Sequence, residues 1–164
     1  MMKKYLVIML LPLLILCSCA KTGGEDGEIG LSPAGIIDAV YEKIDPKEYM
    51  QQLKPELETV DINAENEEYY LGISGVPYES GAGSEAVIQP VTYSFCVIKL
   101  KKGINYDAER KKIEQNINKA KWVCARADEA YVVRQGRYIA VIMGAKEACD
   151  DIEAAFLAVT LPPK

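Results

Sequence analysis

Gln135-Gly136 divides one apolar stretch into residues 130–134 and 137–144. Glycine admits positive φ, so this dipeptide reads as the turn of a tight hairpin, which makes its two strands antiparallel. Residues 91–100 are rich in β-branched and aromatic side chains and read as a well-buried strand, with Lys99, Lys101 and Lys102 marking its exit to solvent. Residues 85–89 read as a neighbouring strand.

Helical signals surround these strands. Ser32 stands as a cap, Pro33 takes the first helical position, and Ile36, Val40 and Ile44 share a face, with Leu31 placed to staple onto Ile36. Asp45-Pro46-Lys47-Glu48 has capping-box spacing and predicts a short second helix from Asp45 that ends before Pro55. The acidic residues 56–68 read as irregular. With Asn105 as cap, Ile113, Ile117, Ala120, Cys124 and Ala127 recur at steps of three and four and predict one long helix over residues 106–127. Ala148, Cys149, Ile152, Phe156 and Val159 make a closing helix, stopped before Pro162. The order of these elements predicts an α+β fold, a two-layer sandwich with helices packed on one face of a mainly antiparallel sheet. One domain over residues 31–164 suffices for this length.

The N-terminus carries the strongest motif. Lys3 and Lys4 precede an apolar run over residues 5–16, broken only by Pro12, and Leu16-Cys17-Ser18-Cys19 follows. A positive start, a short apolar core and a small-residue boundary are the layout of an export signal. A helix crossing the hydrocarbon needs about 20 apolar residues, so this run is short for a permanent span. Leu16, Ser18 and Cys19 match the lipobox of bacterial lipoproteins, in which a leucine stands three before the modified cysteine and a small residue just before it. Cys17 is bulkier than the usual residue at its position. The expectation is cleavage after Ser18 and diacylglycerol on the Cys19 thiol. Each buried CH₂ contributes about 0.8 kcal/mol, so two or three acyl chains hold firmly where one holds marginally. Residues 19–30 then form the lipidated cysteine and a Gly-, Glu- and Asp-rich tether, which would place the domain on the order of 17 Å from the bilayer.

The chain resembles a family of small clostridial lipoproteins built around one domain of unknown function. The resemblance rests on the lipobox, on Tyr69-Tyr70-Leu71-Gly72-Ile73, on the strand ending Val97-Ile98-Lys99, on the long charged helix after it, and on the closing hairpin with Gly136-Arg137-Tyr138. It spans nearly the whole chain after Ser18. Ser94 departs from it, standing where the family often has an acidic residue, and so does the longer Gly-rich stretch after Ile73. The resemblance implies no activity, cofactor or catalytic residue beyond lipid on Cys19.

Composition narrows the chemistry. Lys3 and Lys4 lie in the leading segment, so the rest carries 17 of the 19 basic residues against all 24 acidic ones, a formal charge of −7. Such a surface repels nucleic acid and anionic lipid. There is no histidine, the commonest general base near neutral pH and the commonest metal ligand. Ser74 and Ser84 sit among glycines outside any nucleophile motif and read as loop serines. Asp61, Asn63 and Glu65 start like a calcium loop, but Asn66 and Gly72 occupy positions that require glycine and glutamate. Cys96, Cys124 and Cys149 fall on apolar faces and read as small buried hydrophobes. The basic residues Arg110, Lys111, Lys112, Lys119 and Lys121 read as a solvated helix face.

The expectation is therefore an extracytoplasmic, membrane-tethered module with no cofactor, no metal site and no catalytic residues, held to the membrane through lipid on Cys19. Its other partner would be an envelope protein or an extracellular ligand. Residues 74–84 read as a long Gly- and Ser-rich loop which, with Tyr69, Tyr70, Tyr78 and Glu79, forms a partner or ligand surface. A solute-capturing lipoprotein is the alternative, although such receptors clasp ligand between two lobes. A hydrolase is a third, with carboxylates such as Glu85, Asp107 or Glu129 as acid and base.

Overall fold

The hairpin forms where the sequence places it. In the structure, a computed structural model that describes residues 27–88 and 90–159, β4 (Glu129–Gln135) pairs with β5 (Tyr138–Gly144). Gln135 faces Tyr138, so Gly136 and Arg137 form the turn, and Gly136 takes φ 58°. On its other side β5 pairs with β3 (Ser94–Leu100), β3 with β2 (Tyr78–Ala86), and β2 with β1 (Leu57–Asp61). Every pairing is antiparallel and the strand order is β1-β2-β3-β5-β4, which leaves β1 and β4 as edges. The leading segment, Cys19 and the first part of the tether lie outside the described residues. Among those described, no helix is long and apolar enough to cross a membrane.

The fold is an α+β sandwich. Alternation along β3 and β5 sends Phe95, Val97, Tyr138, Ala140 and Ile142 to one face, where α1 (Pro33–Ile44), α2 (Glu48–Leu53) and α5 (Lys146–Leu157) cover them. Ser32 Oγ accepts the Gly35 N–H at 3.1 Å and starts α1, whose Ile36, Ile37 and Val40 are fully buried. Cys96, Ile98, Ile139, Val141 and Met143 point the other way. That second face carries a thinner cover made of α3 (Glu67–Leu71), α4 (Tyr106–Asn116) and the irregular residues 117–127.

Several elements differ from the sequence reading. Residues 56–68 contain β1, an edge strand whose Glu58, Thr59 and Asp61 are solvent-exposed, and then the start of α3. Asn66 Oδ1 accepts the Asn63 N–H and Asn63 Oδ1 the Glu65 N–H, both at 2.8 Å, so the calcium-like pattern there is a turn into α3. Helix α2 begins at Glu48 with no side-chain cap, and Asp45 instead binds Lys54 Nζ at 2.6 Å. Leu31 is 43 % exposed, so no staple buries it. The expected loop over residues 74–84 is mostly strand β2, which takes in only Glu85 and Ala86 of the neighbour predicted at 85–89. The expected long helix stops at Asn116. Asn105 caps its start, accepting the Ala108 N–H at 2.9 Å. At its end Asn116 Nδ2 donates to the Lys112 carbonyl and Asn118 Oδ1 accepts the Ala120 N–H. These side chains offer the backbone an alternative to further helical turns.

Residues 27–29, expected as the end of a flexible tether, are packed on the domain. Ile29 is buried in the first core, and the Gly27 carbonyl lies against the hairpin turn, 2.5 Å from where a Cβ on Gly136 would stand. Gly136→Ala therefore meets both a forbidden φ and a backbone clash, and we expect a loss of about 2–3 kcal/mol in urea denaturation. Gly103→Ala, at φ 77° with nothing within 4 Å, isolates the backbone contribution and should cost about 1 kcal/mol.

Candidate functional site

Strand β2 is built from small residues because a ring lies on it. A Cβ at Gly83 would come within 2.6 Å of Tyr70 Cε1, so glycine there lets α3 rest directly on the sheet. Tyr69 and Tyr70, adjacent on α3, meet edge to face with centroids 5.2 Å apart. Between them and the irregular segment lies Lys121. Its Nζ stands 4.0 Å from the Tyr69 ring centroid, 4.7 Å from Tyr70 and 5.0 Å from Trp122. The ammonium also reaches Glu85 Oε2 at 3.1 Å and Ser94 Oγ at 3.0 Å, and only 3 % of the side chain is exposed. Tyr69 donates its hydroxyl to Glu85 Oε1 at 2.6 Å.

This environment opposes itself electrostatically. Burial lowers the Lys121 pKa, while the Glu85 charge and hydrogen bond push it back up. Tyr70 is raised to about 12 by burial and by nearby carboxylates. Glu85 on β2 sits directly opposite Glu58 on β1, a like-charge pair that a sheet disfavours. Beside them an open recess of about 360 Å³ is lined by Glu58, Tyr69, Tyr70, Glu85, Val87 and Trp122, with others. The Trp122 indole N–H is buried with no hydrogen-bond partner among the described residues.

The four residues singled out from sequence do not converge. Tyr69 and Tyr70 belong to the recess, whereas Tyr78 lies at the far end of β2, opposite Leu100, and packs into the second core. Glu79, beside it, serves a different corner. There Arg137, 2 % exposed, takes Glu79 in two hydrogen bonds at 2.7 and 3.0 Å, Glu28 at 2.5 Å and the Leu100 carbonyl at 2.8 Å. Lys99 adds a contact to Glu28 at 2.8 Å. This network fastens residues 27–29 to the sheet. Its lysine and arginine hold the Glu28 carboxyl at about 2, with the hydrogen bond from Lys99 the largest influence.

Sequence reasoning missed the central residue. Helical periodicity puts Lys121 on a solvated face, but the helix ends before it and its segment turns the ammonium inward. The adjacency of Lys121 and Trp122 is the one local trace of the site in that segment. Cys124 also departs from expectation, being exposed at φ 62°, whereas Cys96 and Cys149 are buried with thiols pushed up to about 12 by burial. All three thiols are free. The carboxylates weighed as acid and base lie apart, each beside its own cation: Glu85 with Lys121, Asp107 with Arg134 at 2.8 Å, and Glu129 with Lys119 at 3.9 Å.

No protein family, no curated protein and no solved structure matches this chain.

Removing one member of a buried ion pair leaves the other uncompensated, so Lys121→Ala should cost about 3 kcal/mol by urea denaturation. Adding Glu85→Gln should recover part of that loss. The Glu28 contact makes a separate prediction. Its carboxyl ionises more readily folded than unfolded, so its contribution is full above about pH 4.5 and fades as pH falls towards 2. Glu28→Gln should lower the urea midpoint at pH 7, and the difference from wild type should shrink steadily across that window.

Proposed function

We propose that the protein is a lipid-tethered extracytoplasmic binding module that presents the recess at Tyr69, Tyr70, Trp122, Glu58 and Glu85 away from the membrane. The observation that carries this reading is the placement of the two corners. The chain joins the domain at the Arg137 corner, where β2 and β3 pair Tyr78 with Leu100. The recess lies at the other end of the same strands, where Glu85 pairs with Ser94. Seven residues of β3 at roughly 3.3 Å each separate them by about 20 Å. A tether running from Cys19 to Gly27 would therefore hold the Arg137 corner toward the bilayer and leave the recess facing outward.

The recess end also carries the exposed apolar residues that binding surfaces use. Val87 and Ile88 are 59 % and 43 % exposed, and Ile88 borders a second open groove of about 470 Å³ beside Tyr49, Leu53, Val91 and Tyr93. Apolar exposure next to carboxylates suits recognition of a ligand with both apolar and cationic character. A catalytic reading finds less support. Ser94 lies within 3.0 Å of Lys121 Nζ but is only 1 % exposed, so a substrate carbonyl has no path to its hydroxyl. Leu16, Ser18 and Cys19, in the lipobox pattern, support an address at the envelope.

Membrane partition and intact mass of the wild-type protein beside Cys19→Ala test the tether. We expect acyl mass and membrane retention for wild type, and release or lack of processing for the variant. Equal, unacylated behaviour of both would overturn the reading.

A further inference from the structure

We propose that the recess is a binding site for an organic ammonium group, gripped by the rings of Tyr69, Tyr70 and Trp122 and by the carboxylates Glu58 and Glu85. This names the ligand class of the binding module proposed above and rests on that reading.

Three observations point to this chemistry. The first is the orientation of the rings. Aromatic faces are electron-rich, and these three already gather around one ammonium, Lys121 Nζ, at 4.0 to 5.0 Å. Lys121 does not itself line the recess, so it contacts the rings from the protein side while their remaining surface borders the opening. Tyr69 is 43 % exposed, whereas Tyr70 and Trp122 are 7 % and 6 % exposed and border the recess from beneath.

The second observation is charge. Glu58 and Glu85 stand opposite each other on paired strands, and Lys121 neutralises only one of them. Among the described residues Glu58 has no ion-pair partner, so the three groups together carry one uncompensated negative charge. A second cation at the opening would relieve the cross-strand repulsion that β1 and β2 otherwise carry.

The third is the shape of the recess. About 360 Å³ admits an ammonium head group with a short apolar stem, which Val87 and the other apolar lining residues would cover. Fused to a carboxylate pair, such an aromatic wall discriminates by charge, because a neutral molecule of the same shape gains the apolar contact without the attraction to rings and carboxylates.

The ammonium could belong to a free small molecule or to a lysine side chain on a partner. Trp122 is the sole tryptophan, so its emission reports on this site alone. The experiment titrates the purified full-length protein, in a non-ionic maltoside detergent, with choline, with butylamine, with Nα-acetyl-lysine amide and with 3,3-dimethylbutan-1-ol, the uncharged isostere of choline. We expect a saturable change in Trp122 emission with at least one of the ammonium compounds, and binding of the neutral alcohol at least about tenfold weaker. Saturation by choline or butylamine assigns a free ammonium ligand; saturation by the lysine amide alone assigns a partner-borne lysine. Glu58→Gln, on an exposed edge position and checked for folding by circular dichroism, should weaken ammonium binding by about threefold. Absence of saturation by every ammonium compound, equal binding of the neutral alcohol, or unchanged affinity in Glu58→Gln would each overturn the proposal. None of those outcomes touches the tether, whose test is the behaviour of Cys19→Ala at the membrane.

Discussion

Strands β3 and β5 have no solvent face, and the rest of the molecule is arranged to satisfy that. From Ser94 to Ile98 and from Tyr138 to Gly144 every residue is buried. A strand buried on both sides needs apolar cover on both sides, and one helical layer supplies only half of it. The first face receives two twelve-residue helices, α1 and α5. The second receives much less regular structure: five residues of α3, eleven of α4 and a segment without helix or strand. Irregular cover has few backbone hydrogen bonds of its own, the Ala127 N–H to the Lys119 carbonyl at 2.9 Å being one here, so side chains help to pin it. Lys121 does this by carrying its charge under the segment to Glu85 and Ser94 on the sheet.

Two cations thus sit inside an acidic protein, one at each end of the same strands. Arg137 and Lys121 are both almost fully covered, and each meets carboxylates distant in sequence, Glu28 being 109 residues from Arg137 and Glu85 36 residues from Lys121. Buried ion pairs contribute little net stability, because desolvation offsets most of the attraction, but a mispaired arrangement is heavily penalised. Their effect here is on which arrangement forms. Arg137 selects the docked position of residues 27–29, and Lys121 selects the path of residues 117–127. The Arg137 fork also explains why Glu79 and Tyr78 leave any binding surface: the carboxylate is committed to the guanidinium and the ring to the second core.

What could be read from the sequence follows from range. Ser32, Asn105 and Gly136 act on neighbours within a few residues, so the starts of α1 and α4 and the hairpin turn were legible. The strands of the centre announce themselves by β-branched content. By contrast, β2 looks like a loop because its glycines make sense only once Tyr70, brought from α3, lies on Gly83. Edge strand β1 looks irregular because its exposed acidic side chains mask its pairing with β2. Lys121 was assigned to solvent by helical periodicity that Asn116 and Asn118 interrupt. Tyr69 and Tyr70 are legible, but Lys121, Glu85 and Glu58, which make them a site, come from three other segments. A long-range cluster of this kind leaves no spacing to read.

The two sheet edges are guarded in different ways. Along β4, Arg110 of α4 donates to the Val132 carbonyl at 3.4 Å, and Arg134 is held by Asp107, so side chains occupy the outer rim. Along β1, the exposed Glu58 and Asp61 present negative charge instead. A short acidic border resists being extended by another strand, because a second copy would bring the same charges into register. Were the proposed tether to crowd these molecules into two dimensions, where collisions between identical borders are frequent, that repulsion would keep neighbouring copies from zipping together into a continuous sheet.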